Sequence, residues 1–105
     1  MSTITVQLDA TAALADELAL LAAALADEQP VCRSAAAALV VALDGEAGVL
    51  AAECAAGWAE LVGVLADRCA VTGRALGAAV GAYRAAEAAR AADLAAASRL
   101  RQGPR

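Results

Sequence analysis

The chain has 105 residues, one domain's worth, and 62% of them are hydrophobic although there is one Trp, one Tyr and no Phe. Most of that apolar content is Ala, the best helix former and a small contributor of buried area, while the β-branched and aromatic residues that strands prefer are scarce. A formal charge of −4 without aromatic interleaving argues against nucleic-acid binding, and a core built from Ala is thin enough that a protein partner is expected.

The charge is unevenly placed. Residues 1–67 carry ten acids against one base, Arg33, while residues 68–105 carry seven Arg against Glu87 and Asp93. Dispersed Arg with intervening acids read as a solvated face. The first residues, Met1-Ser2-Thr3-Ile4-Thr5-Val6, have neither the basic start nor the long apolar stretch of a start-transfer signal. The longest uncharged apolar run lies between Arg33 and Asp44, too short to cross a bilayer, so no integral membrane segment is expected.

In chain order, Ile4, Val6 and Leu8 form a short extended lead, and Asp9 is the expected N-cap of a first helix over about 9–43. Leu14, Leu18, Leu21 and Leu25 recur at steps of four and three, continuing in phase through Cys32, Ala36 and Leu39. Pro30 interrupts this run, removes a hydrogen bond and predicts a kink there. A turn follows at about 44–46, where Gly45 suits a left-handed position.

The second helix is expected over about 47–98. Its larger apolar residues, Leu50, Cys54, Trp58, Leu61, Leu65, Cys69, Thr72, Leu76, Val80 and Tyr83, step by four, four and three, an eleven-residue period. Residues 99–105 read as a flexible tail, so the hairpin occupies 1–98. If the chain reverses about Gly45, facing residue numbers sum to roughly 90 and the two stripes stay in phase. The fold class expected is therefore all-α, an antiparallel helical hairpin that assembles into a four-helix bundle. In that hairpin Leu14, Leu18, Leu21, Leu25, Leu61, Leu65 and Leu76 hold the seam, and residues from about Tyr83 onward project past the first helix.

Little in the sequence supports catalysis. There is no His and no Lys, Ser occurs only at positions 2, 34 and 98, and the acid pairs Asp16-Glu17 and Asp27-Glu28 diverge by about a third of a turn. Cys32, Cys54 and Cys69 lack metal-ligand spacing and a basic activator, so they read as small hydrophobes on helix faces. No enzyme activity and no cofactor are expected. Gly73, Gly77 and Gly81 repeat every fourth residue and suit the close approach of another backbone. With Trp58, the one large aromatic anchor, they are the candidate partner interface.

Tyr83-Arg84-Ala85-Ala86-Glu87 lies near the end of the second arm of this Ala-rich hairpin of about 100 residues. With the apolar lead Ile4-Thr5-Val6-Gln7-Leu8-Asp9, it resembles the WXG/ESX substrates of type VII secretion, in particular the EspC-like branch of actinobacteria. The resemblance spans most of residues 4–94. It implies that Tyr83 and Glu87 form a Tyr-x-x-x-acid export signal with Leu94 as a following apolar contact. It also implies a dimer with another helical hairpin, of the same or a different chain, and recognition by a secretion ATPase or chaperone. The protein would be cytoplasmic before export, then secreted or envelope-associated. The family's Trp-x-Gly turn is missing, since Trp58 is followed by Ala59-Glu60. A cytosolic helical adaptor with no secretion role is the alternative reading, and an amphipathic membrane-surface protein is a third.

Overall fold

A computed structural model describes residues 2–103. Two α-helices, α1 (Thr3–Ala42) and α2 (Gly45–Gln102), pack against each other as an antiparallel hairpin measuring 92 × 19 × 14 Å. The length follows from the 58 residues of α2 at about 1.5 Å each.

The first helix starts earlier than expected. Ser2, not Asp9, is the N-cap: its hydroxyl accepts from the Thr5 N–H at 3.1 Å. Ser is a stronger signal than the apolar residues after it are a barrier, so the lead from Ile4 to Leu8 is helical. The helix also runs through Pro30 without a break. Pro30 is exposed, and the flanking turns of an Ala-rich helix packed on α2 carry the backbone across it.

The reversal occupies Leu43 and Asp44, and Gly45 takes a positive φ of 66°, the left-handed conformation that its lack of a Cβ permits. Just beyond, Gly48 lies so close to the Leu43 carbonyl that a side chain there would collide with backbone. Glu46 in the first turn of α2 and Arg99 and Arg101 in its last complement the helix dipole. The second helix outlasts its expected end at 98. It closes at Gly103, φ 67°, whose N–H donates to the Arg99 carbonyl at 3.4 Å. Pro104 and Arg105 of the expected tail lie outside the described residues.

The register agrees with the sequence reading. Gly73 packs on Ala15 and Leu18, Gly63 on Gln29, and Arg84 pairs with Asp9, so facing numbers sum to about 88–93. The rotation of the helices does not agree. On α1 the least exposed positions include Leu8, Thr11, Ala15, Leu18, Ala22, Leu25, Gln29, Cys32, Ala36 and Leu39, an alternation of threes and fours, with Ala12 beside Thr11. On α2 they include Gly48, Ala52, Ala55, Ala59, Val62, Ala66, Cys69, Gly73, Leu76 and Val80, again a heptad rather than an eleven-residue period.

The seam is therefore made mostly of small side chains, with Leu18, Leu25, Leu39 and Leu76 among the few large ones. Leu14, Leu21, Leu61 and Leu65, expected to hold it, remain 43–48% exposed, and Trp58 is 59% exposed. The physical reason is distance. Ala and Gly at the contact let the two backbones approach closely, which forces bulkier residues to the flanks.

By length and composition α2 can cross a membrane: an 18-residue window reaches a mean hydropathy of 1.6 with 17% of it buried. The sequence reading rested on uncharged runs alone and did not anticipate this.

Candidate functional site

The seam divides the remaining surface into two flanks. In an antiparallel pair of right-handed helices, residues that directly precede equivalent seam positions fall on the same side. Leu14 and Leu21 precede Ala15 and Ala22, and Trp58 and Leu65 precede Ala59 and Ala66. With Leu61, one turn from Leu65, they make one apolar flank whose charges are few: Glu17, Glu28 and Arg68.

The opposite flank is charged. Glu46, Glu53, Glu60, Asp67 and Arg74 stand seven residues apart along α2, and Asp9 and Asp16 do the same on α1. Between these rows run shallow grooves floored by small residues, one lined by Ala15, Ala19, Ala22, Ala70, Gly73 and Gly77 with Asp16 and Arg74 at its edges. Asp16 and Arg74 share that groove as the register predicts. The ion pairs among the described residues are elsewhere: Arg84–Asp9 at 2.6 Å and Arg90–Glu87 at 3.0 Å.

The three glycines separate. Gly73 is buried, and a Cβ there would stand 3.1 Å from the Ala15 carbonyl oxygen and 3.3 Å from Leu18 Cβ. The backbone that approaches it is that of α1. Gly77 and Gly81 have open space around them. Trp58 belongs to the apolar flank, not to the seam.

Tyr83, Glu87 and Leu94 lie at the open end of the hairpin. Because α1 starts at Thr3, Tyr83 does not project free, as expected from the sequence, but sits across from Leu8. A cavity of about 410 Å³ there is lined by Ser2, Ile4, Thr5, Leu8, Tyr83, Arg84 and Glu87. The Tyr83 side is 41% exposed. Asp9 binds the Arg84 guanidinium, and Arg90, one turn on, holds the Glu87 carboxylate. The seam stripe of α2 continues from Tyr83 through Glu87 and Arg90 to Leu94, which is 67% exposed and lies past the start of α1. Tyr83 and Glu87 therefore still face the first turns of α1, and the partner helix has run out only by Leu94.

Sequence reasoning missed the lead's share in this cavity, because Ile4 and Leu8 were read as extended. Ser2 followed by a Thr at the third helical position was the available signal. Among the described residues no three His, Cys, Asp or Glu converge as metal ligands. Cys32, Cys54 and Cys69 are free thiols. Compared with known proteins, the chain matches no family model, no curated protein and no solved structure.

Proposed function

We propose that this chain is a small non-enzymatic protein that is exported by, or targets a partner to, a type VII (ESX) secretion system. Tyr83 and Glu87 form the signal, with Leu94 as the apolar contact that follows. The observation that supports this reading is the stripe Tyr83, Glu87, Leu94 at the open end of the hairpin, where Tyr83 and Glu87 line a cavity beside the first turns of α1 and Leu94 lies exposed past its start. An aromatic ring, a carboxylate and an aliphatic side chain at steps of four and seven along the open end of a helix suit recognition by a groove on another protein. The chain is cytoplasmic before export and secreted or envelope-associated afterwards. It works as a dimer with another hairpin and is handed to a secretion ATPase or chaperone.

The adaptor reading has its own support. The pairs Arg84–Asp9 and Arg90–Glu87, and the packing of Tyr83 beside Leu8, give these residues structural roles that need no receptor. Expression of the tagged chain in a host that carries such a system, with its ATPase active or disabled, separates the two. Accumulation in the medium that depends on the ATPase is the expected result. A chain retained in the cytosol under both conditions contradicts export and leaves the adaptor.

A further inference from the structure

We propose that residues 3–9, the first turns of α1, are a lid over Tyr83 and Glu87, latched by the Asp9–Arg84 pair, and that a reading groove gains those two side chains only when the lid unwinds. The inference concerns the regulation of the signal and rests on the export reading above for what the groove belongs to.

The face of α2 that carries the signal is the one that α1 covers. Its buried and half-buried positions run Ala66, Cys69, Gly73, Leu76 and Val80 at steps of three and four, and Tyr83 and Glu87 are the next two in that series. Both share a cavity with Ile4, Thr5 and Leu8. A groove that takes a helix by anchors one turn apart must reach that same face. Ile4 and Leu8 stand where such a groove would close. Leu94 lies past the start of α1 and is open already.

The lid is weakly held. Leu8 is the one residue from Ser2 to Ala10 that is not exposed, and the first buried residue of α1 is Ala15. Thr3, Ile4, Thr5 and Val6 are four β-branched residues in a row, stiff at χ1 and poorer helix formers than Ala. The latch is a pair whose two side chains are half in water, where such contacts contribute little. Segments with so few buried contacts open locally ahead of the rest of a fold. The Ser2 cap on the Thr5 N–H gives the closed lid a defined helical start.

The other arm keeps its shape when the lid leaves. Most residues between Ala82 and Ala92 are Ala, and Arg90 holds the Glu87 carboxylate within α2 at 3.0 Å. Opening therefore uncovers an intact helical face. It also breaks the Asp9–Arg84 pair, which frees a guanidinium beside Tyr83.

Nitration of Tyr83, the chain's one tyrosine, reads the lid in the purified full chain, with hydrogen exchange alongside. Amides of residues 7–10 are expected to exchange at least about tenfold faster than those of residues 15–29. Leu8→Gly should raise the nitration rate several-fold while the rest of the helicity persists. Thr3→Glu combined with Val6→Ala firms the lid through the helix dipole and propensity, alters no residue of the cavity, and should lower the rate. In a host with an active type VII system, Leu8→Gly should leave the cell faster than the unaltered chain and the firmed variant more slowly. Equal nitration of the three chains overturns the proposal, as do amides at 7–10 as protected as those at 15–29. Equal export of chains whose nitration differs overturns it too. Retention of every form in the cytosol sinks the export reading instead, and nitration and exchange still decide whether the lid opens.

Discussion

Gly73 of α2 rests on the backbone of α1 at Ala15: a Cβ built on Gly73 would lie 3.1 Å from the Ala15 carbonyl oxygen. Together with the buried Ala15, Ala22, Ala59 and Ala66, that close approach accounts for the large residues displaced from the seam. Gly73→Val should therefore destabilise the hairpin by about 1–3 kcal/mol through overpacking. Gly77→Ala, one turn away with open space around it, should stabilise it by up to about 1 kcal/mol through helix propensity. Thermal unfolding followed by circular dichroism reads both, and opposite shifts in Tm are expected.

The turn depends on Gly48 as well as on Gly45 with its positive φ. A methyl group on Gly48 meets the Leu43 carbonyl, which is backbone and cannot rotate away. Gly48→Ala should lower stability by about 1–3 kcal/mol despite its gain in helix propensity. Urea unfolding of this variant beside Gly57→Ala, whose Cβ would meet nothing, separates the clash from propensity.

Leucines of the seam and of the flank should behave differently. Leu25 is half-buried between the helices, whereas Leu21 is 48% exposed. Leu25→Ala should cost about 1–3 kcal/mol and Leu21→Ala no more than about 0.5 kcal/mol, read by urea unfolding.

The Arg84–Asp9 pair joins the first turns of α1 to α2, yet both side chains are about half exposed, at 50% and 56%. Water and salt screen such a pair, so Asp9→Ala should change stability by no more than about 1 kcal/mol. Unfolding at low and high salt checks this, with a difference that shrinks as salt rises.

The hairpin and its register were legible because they depend on numbers that survive rotation. Gly45 at the turn and phase-matched stripes fix which residue is level with which, whatever face they present. The rotation was not legible from residue size. Ranking Leu50, Trp58, Leu61 and Leu65 as core assumes that bulk seeks burial, but in this chain backbone proximity at Ala15 and Gly73 wins. A heptad of small residues, Ala52, Ala59, Ala66 and Gly73, ran through the sequence, with acids seven apart at Glu46, Glu53, Glu60 and Asp67 marking the solvent side. The start of α1 was misplaced for a local reason, since an Asp at position 9 competes on paper with the Ser at position 2. At the candidate site, Tyr83, Glu87 and Leu94 were singled out by resemblance, while the cavity they share with Ile4 and Leu8 needed the observed start of α1.

Export of Tyr83→Ala, compared with the unaltered chain in a host with an active type VII system, tests the central claim most directly. The account predicts that the variant accumulates in the cytosol while its helicity persists, since Tyr83 is 41% exposed and its packing is confined to the open end beside Leu8. Secretion of the folded variant at the original level would contradict the assignment of Tyr83 as the signal.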